Sequence, residues 1–556
     1  MTLLKRITSF RYLIYISFIL LHIFLLNINA AEWGDSYRIL RASEYIRSDA
    51  IYPTDEKRPP LYSLILAVRP VFVDQILWGR LFMLVTSIVF LLVFEKFLKL
   101  FIKNDKYINL GLVLLALNPV FLYWSIRIYA DVFFALLVLI SFYLFSIWNS
   151  TISKDNISPI IKIPSIILSF KKPIILGMLS GLAVLTRFEG YLLFGSIGLG
   201  LLLLNISKKD TYLSILKRNF LTCISYTLAF ITILLPWFYY RNPLTGSSYF
   251  EEPSGRSYDL KMISTYVLSF LLIFGFTSAF YFISKNYKNV FKLFFENIAL
   301  SVFVTLELLL ILMWPAAVPR LFVPIIPVFI LILTQSIERF FESETTKRKE
   351  KLFTIDKVIL FNILLLAIYI IGQYILKLQF LVPTKILFLF LVVVQLPIIY
   401  FTYIKNFKYF VISILVSSFV WSLIVIWIHK DTFISIKHAA EYVSENIEGV
   451  VAYNDVSSVS DWYLNQRDRS LNSYKGEYND IVSGYFYNFE KNALLTQESL
   501  VEKGMDYLLI TNEHNTTMDI DLEKRPYLTL IEEFSYNVNG KVFTSRVVKL
   551  NKEFKK

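Results

Sequence analysis

Runs of about 20 apolar residues recur along this chain, separated by short polar stretches, and this constrains the fold more than any other feature. A helix needs about that length to cross the hydrocarbon core of a bilayer, where every backbone polar group must be satisfied within the segment. After an initial run that follows Arg11, apolar runs lie near 76–101, 109–126, 129–148, 173–188, 190–206, 219–239, 262–283, 294–314, 320–338, 356–376, 384–404 and 408–428. They predict about thirteen transmembrane helices. With 56% hydrophobic and 17% aromatic residues in 556, the chain is not a soluble globular protein.

The net charge of +13 belongs to topology rather than to nucleic acid. Lysines and arginines gather in alternate loops: Lys96 to Lys106, Lys154 to Lys172, Lys208 to Arg218, Lys285 to Lys292, Lys347 to Lys351, and Lys405 with Lys408. That alternation is the positive-inside pattern, and an erroneous extra or missing span would bring two basic loops together. No basic face with interleaved aromatics is present, so nucleic acid is not expected as a partner. The loops at 32–60, 127–130, 188–190, 240–261 and 315–320, and everything after His429, are expected outside the cytoplasm. This describes a multi-pass protein of the cytoplasmic (plasma) membrane.

The start has two readings. One is an uncleaved first span with Lys5, Arg6 and Arg11 left in the cytoplasm. The other is a signal peptide cleaved near Ile28-Asn29-Ala30. The length of the apolar stretch and the many spans that follow favour the first. Cys223, the one cysteine, lies inside an apolar run, so no disulfide framework is expected. His22, His429, His438 and His514 show no metal-ligand spacing, and no metal-ligating residues are assigned.

After His429 the pattern changes. Ile434–Ile447 has helical spacing, GVVAYN at 449–454 and DYLLIT at 506–511 read as buried strands, and Thr529–Leu550 alternates about Asn539-Gly540 as a hairpin does. The chain therefore divides into a membrane domain, residues 1–430, and a small extracytoplasmic α/β domain, residues 431–556. Asn515-Thr516-Thr517 is a glycosylation sequon by pattern.

The polar stretch from Glu32 to Tyr62 is too long and too charged for a connector, and is read as a working loop. Asp35 opens a helix whose face is Ile39, Ala42, Ser43 and Ile46, with Arg38, Arg41 and Arg47 elsewhere. Capping that helix is its plainer role. Asp131 stands at the edge of a span, where an ionisable group is costly and marks function by default. Arg127, four residues earlier, is placed to pair with it. Arg58 precedes Pro59-Pro60, which stiffen the chain, so a fixed cation there can hold a phosphate. Arg320 sits among prolines at 319, 324 and 327 on the non-cytoplasmic side. For both arginines the plainer role is snorkelling at the interface. Arg187 and Glu189 share an outer turn and are expected to neutralise each other.

Taken in order, GDSYRILRASEYI at 34–46, RPPLY at 58–62, RIYADVFFALLVLISFYLF at 127–145, GLAVLTRFEGYLLF at 181–194 and PRLFVPIIPVF at 319–329 resemble the GT-C glycosyltransferases. The likeness is to the branch of dolichyl-phosphate-mannose protein mannosyltransferases and lipid A aminoarabinose transferases. It implies an inverting enzyme that moves a sugar from a polyprenyl (dolichyl or undecaprenyl) phosphate to an extracytoplasmic glycan, lipid or protein. It implies Asp35 as general base and Asp131 as second acid. Arg58, Arg320 and Arg127 would face the donor phosphate, and Tyr62, Arg187 and Glu189 would be further site residues. The chain departs from the mannosyltransferases where Arg58 stands before the Pro-Pro pair in place of their frequent histidine. Some relatives need a divalent ion, for which this sequence offers no clear ligand set. Asp35, Asp131, Arg58 and Arg320 are expected to meet at one lipid-open, non-cytoplasmic cavity. A transporter or flippase is the first alternative, but transporters show repeat halves and midplane charges. An O-antigen-type polymerase is the second, but such proteins carry their large loop late among the spans.

Overall fold

The computed structural model describes residues 3–53, 56, 58–155, 164–203, 212–240, 266, 273–274, 279–314, 319–342, 360, 363–364, 367, 371, 394–455, 458–464, 484–486, 500–501, 504–513, 522–538 and 540–553. The sequon at 515–517 and the expected span at 356–376 lie outside the described residues, save isolated positions of the span.

The protein is a polytopic α-helical membrane protein. In chain order its first helices are α1 (Leu3–Leu25), α2 (Gly34–Asp49), α3 (Leu61–Ala67), α4 (Gln75–Phe101), α5 (Asp105–Ala116), α6 (Pro119–Ser125), α7 (Ala130–Asp155), α8 (Pro164–Val184), α9 (Gly190–Leu202) and α10 (Tyr212–Tyr240). Then come α11 (Ala279–Lys285), α12 (Tyr287–Glu296), α13 (Ile298–Met313), a 3-10 turn at Pro319–Ile325, α14 (Ile326–Glu342), α15 (Gln395–Tyr403) and α16 (Phe407–His429). Among the described residues, 5 helices are long and apolar enough to cross a membrane, or up to 7 if each bent pair is one span.

The bends have local causes. Pro119 lacks an amide hydrogen, so α5 cannot run on through it. Asn118 caps the new helix, accepting from the amides of Val120 at 3.1 Å and Phe121 at 3.0 Å, and the axis turns by 57°. Between α12 and α13 the axis turns by 108° at Asn297, whose side chain donates back to the Leu293 carbonyl at 2.9 Å.

Two compact units account for the chain. The first holds residues 1–23, 83–126 and 130–425. Its helices pack closely where small residues allow it. A Cβ on Gly177 would lie 2.2 Å from the Tyr226 carbonyl oxygen, and one on Gly181 would lie 2.8 Å from Ile233, so this Gly-x-x-x-Gly pair lets α8 lie against α10. At one end Arg11 ties α1 to α4 and α5. It donates to Glu95 at 3.0 Å, Asp105 at 2.5 Å and Asn109 at 3.1 Å, while Tyr15 and Lys99 also donate to Glu95. A first helix wired in this way is an integral part of the unit.

The second unit holds residues 24–82, 127–129 and 426–556. The first polar loop and the C-terminal segment therefore belong to one compact body, whereas hydropathy alone divides them. Its sheet has the order β2-β1-β3-β5-β4, with β1 (Val451–Tyr453), β2 (Gly484–Phe486), β3 (Tyr507–Thr511), β4 (Leu528–Val538) and β5 (Lys541–Leu550). β1 runs parallel to β2 and β3, and β5 antiparallel to β3 and β4. Helices α17 (Ile434–Asn446) and α18 (Val459–Leu464) complete it. The core is aliphatic, with Ala452, Leu508, Ile510 and Val548 at its centre. The helix, both strands and the hairpin expected from the sequence all form. The exposed edge strand β4 carries Glu533, paired with Arg546 at 2.7 Å, and charge on an edge discourages strand addition.

Candidate active site

In the second unit the site begins with Trp33, whose extended backbone starts α2. Asp35 lies in the first turn of α2, where the helix dipole favours a carboxylate. It is not the N-cap, a position that Trp33 holds without a side-chain capping hydrogen bond. The Asp35 carboxylate instead accepts from Nη2 of Arg58. The other arm of Arg58 donates to Oε1 of Glu56 at 2.9 Å, and the Arg58 amide donates to the same oxygen at 3.0 Å. Tyr52 donates to the Arg58 carbonyl at 2.8 Å. Glu56 is 1% exposed at its side chain, while Asp35 and Arg58 are 28% and 22% exposed. The pair is thus anchored from the buried side and open on the other.

In the same unit, Arg80 donates to Oε1 of the buried Glu32 at 2.8 Å, to Asn27 at 2.9 Å and to the Asn29 carbonyl at 3.2 Å. Arg127 is buried at 1% exposure and donates to the carbonyls of Ala31 at 3.3 Å and His429 at 3.1 Å. Its guanidinium lies 5.8 Å from the centre of the Trp33 ring. This corrects the expected pairing with Asp131: Arg127 pins backbone within the second unit. Tyr62 is buried against Phe82, with ring centres 5.8 Å apart. Arg41, which the helical spacing sets off the Ile39–Ile46 face, is buried.

In the first unit Asp131 lies in the first turn of α7 and accepts from Nη1 of Arg187 at 2.6 Å. Arg187 also donates to Glu189 through Nε at 3.1 Å and through Nη2. The turn holding both is tight. A Cβ on Gly190 would come within 2.3 Å of the Val184 amide nitrogen, so only glycine closes it. Burial opposes ionisation of Glu189, but the Arg187 guanidinium overrides it, with Arg320 adding to the effect, and the carboxyl titrates below the usual range. Arg320 stands 5.8 Å over the Trp124 ring. Glu307, on α13, is 2% exposed and lies in the field of Glu189, Arg187 and Asp131. Among the described residues, Oε2 of Glu307 and Oδ2 of Asp131 are buried without a hydrogen-bond partner. A guanidinium stands among these acids, and no group of His, Cys, Asp or Glu among the described residues has the geometry of a metal site.

The structure therefore sorts the predicted residues into two clusters, Asp35 with Arg58 in one unit and Asp131 with Arg187, Glu189 and Arg320 in the other. Sequence reasoning missed Glu32, Glu56, Arg80 and Glu307. Only Glu307 carried a clear signal, as a lone acid in the apolar run LELLLILM.

The chain has the GT-C fold of membrane glycosyltransferases. No protein family and no curated protein sequence matches it significantly. Among solved structures it is similar to ArnT from Cupriavidus metallidurans bound to undecaprenyl phosphate, with a TM-score of 0.59 and 13% identity, over 97% of this chain and 98% of that one. The apo state of ArnT matches with a TM-score of 0.58 and 12% identity, over 98% of each. The archaeal oligosaccharyltransferase AglB from Archaeoglobus fulgidus, in complex with an inhibitory peptide and a dolichol-phosphate, matches with a TM-score of 0.50 and 10% identity, over 92% of this chain and 70% of that one.

Proposed function

We propose that this protein is an inverting glycosyltransferase that takes a sugar from a polyprenyl phosphate and delivers it to a glycan, lipid or protein outside the cytoplasm. The observation that carries the reading is the Asp35–Arg58–Glu56 arrangement, set in a fold that matches ArnT along nearly its whole length. Asp35 is the general base. It takes the proton of the acceptor hydroxyl as that oxygen attacks the anomeric carbon. The bond from that carbon to the phosphate oxygen breaks with its electron pair, and polyprenyl phosphate departs. A phosphate leaves without protonation, so no general acid is required. Arg58 holds one carboxylate oxygen of Asp35, and Glu56 holds Arg58, which fixes the orientation of the base.

Cations in a region of low dielectric stabilise charge that grows on a leaving phosphate. Arg320 and Arg187 take that role in this reading, with Asp131 and Glu189 setting the direction of Arg187. Arg127 is assigned to structure, because it is buried and donates to two backbone carbonyls. The lysine alternation supports a plasma-membrane protein with its C-terminal domain outside the cytoplasm.

The test is transfer in liposomes with a radiolabelled polyprenyl-phosphate sugar. Wild-type protein releases polyprenyl phosphate as labelled product forms, and Asp35→Asn does not. Equal turnover by the variant would remove the assigned base.

A further inference from the structure

The chain leading to Asp35 is held at Ala30 and Trp33 by the C-terminal segment of the same unit. The Ala30 amide donates to the Lys430 carbonyl at 2.7 Å, and Lys437 donates to the Ala30 carbonyl at 3.1 Å. The Trp33 ring meets Phe433 edge-on, with centres 5.4 Å apart. On the far side of Asp35, Tyr37 is 1% exposed and packs between Trp462 at 5.6 Å and Tyr463 at 5.8 Å. Its hydroxyl accepts from the Glu32 amide at 2.9 Å and donates to the Tyr463 hydroxyl at 3.4 Å. Arg38 donates to the Ser458 hydroxyl at 3.2 Å.

Backbone conformation adds to this. Phe433 has φ 65° and Ser458 has φ 61°, the left-handed region that side chains other than glycine rarely adopt. Strained backbone persists where its surroundings over-determine it, and it gathers where geometry has to be exact. Both residues are contact points with the Asp35 segment. Neither conformation is needed to close the sheet, whose strands begin and end elsewhere.

We propose that Phe433, Ser458, Trp462 and Tyr463 are positioning residues: the C-terminal α/β segment braces the first turn of α2 and so holds the Asp35 carboxylate at its working place. The functional consequence rests on Asp35 being the base, but the brace itself does not. A helix of α2's length is marginal when isolated, and its first turn leaves amides unpaired, so its N-terminal end is where loss of outside contacts is felt first. A displacement of about 1 Å at a reacting group costs about a hundredfold in rate.

The experiment uses the full-length protein in liposomes and two measurements. Hydrogen–deuterium exchange is followed in the peptide covering 34–42 and in peptides from β3 and β5. Transfer kinetics give kcat and the donor KM separately. In Trp462→Ala/Tyr463→Ala, exchange in 34–42 rises at least about tenfold while β3 and β5 stay protected, and kcat falls by about ten- to a hundredfold with the donor KM within about twofold. Trp462→Phe, which keeps a ring against Tyr37, restores both. If the double variant does not fold, Ser458→Ala is read in the same way, since it removes one hydroxyl contact with Arg38. Unchanged exchange in 34–42 with the sheet intact overturns the brace, and so does raised exchange with undiminished kcat. If exchange responds as expected but wild-type protein transfers no sugar, the brace stands and the transferase reading fails.

Discussion

Arg58 joins two carboxylates that differ in burial: the half-open Asp35, and Glu56, which it reaches at 2.9 Å in the interior. Removing the cation therefore has two separable consequences. Arg58→Ala removes the guanidinium that Glu56 meets in the interior, a loss worth about 3–5 kcal/mol when one member of a buried pair is removed. It also frees Asp35 from its fixed orientation. In Arg58→Ala/Glu56→Gln the carboxylate charge goes together with the cation that offset it, so thermal stability returns while transfer stays low. Unfolding temperature and turnover measured on the same liposomes would separate the effects. Full recovery of both would make Arg58 structural only.

A carboxylate used as a base contributes about 10²–10⁴ in rate. Asp35→Asn keeps the shape and the contact with Arg58, since the amide oxygen still accepts. Transfer should drop by about that factor with membrane insertion unchanged. Asp131→Asn should fall less, because in this reading Asp131 acts through Arg187. Radiolabel transfer at saturating donor measures both, and an equal loss would mean that Asp131 touches the reacting atoms.

The first unit offers the complementary case. Arg187 is the cation that both Asp131 and Glu189 contact, at 2.6 Å and 3.1 Å. Arg187→Ala strands two buried carboxylates and should destabilise the unit by at least about 3–5 kcal/mol. Glu307→Gln should have the opposite sign. Its buried carboxyl lies in the field of the like-charged Glu189 and Asp131, so a neutral isostere adds no repulsion there and the unfolding temperature holds or rises. A clear drop for Glu307→Gln would mean that the ionised form is needed.

These clusters show where sequence reading works and where it stops. The ends of α4 and α16 fall close to the apolar runs, because hydropathy and helix length act along the chain, whereas α7 runs on to Asp155, past the end of its run near 148. Two C-terminal strands are legible as short buried apolar runs, and the hairpin by its alternation. The partner of Asp131 was not, because the spacing argument assumed that Arg127 and Asp131 share a helix. α7 begins at Ala130, so Arg127 lies before it and points by another rule. The partner that Asp131 does find is 56 residues away. The same holds for the brace on α2, which joins positions more than 400 residues apart, such as Tyr37 with Tyr463. No local pattern encodes such a contact. The count of thirteen spans rested on unbroken runs, whereas Pro119 and Asn297 divide two of them into bent pairs.

Sidedness can be measured directly. The alternation of lysine-rich loops sends residues after Lys430 outside the cytoplasm. A reporter active only outside the cytoplasm, fused after Lys556, should be active, and one fused within 343–350 should be silent. The reverse pattern would invert the topology and with it the compartment of transfer.

Stability should also depend on pH through Glu513. Burial pushes its carboxyl up to about 7 from an ordinary value of 4.5, even though the Phe433 amide at 2.6 Å and the Ser435 hydroxyl at 2.8 Å favour the ionised form. Between those values the folded protein holds a proton that the unfolded chain has released, so stability is fully present below about 4.5 and falls as pH rises through 7. A shift of that size corresponds to about 3 kcal/mol. Glu513→Gln should abolish the slope, and it should bring the pH 8 stability of the C-terminal segment up towards that at pH 5. Phe433 is the residue that Glu513 holds, and Phe433 meets Trp33 two residues before Asp35. Exchange in 34–42 should therefore slow in the wild type as pH is lowered from 8 to 5, after correction for intrinsic rates, and stay level in Glu513→Gln. A slope that persists in Glu513→Gln would assign the pH dependence to another group.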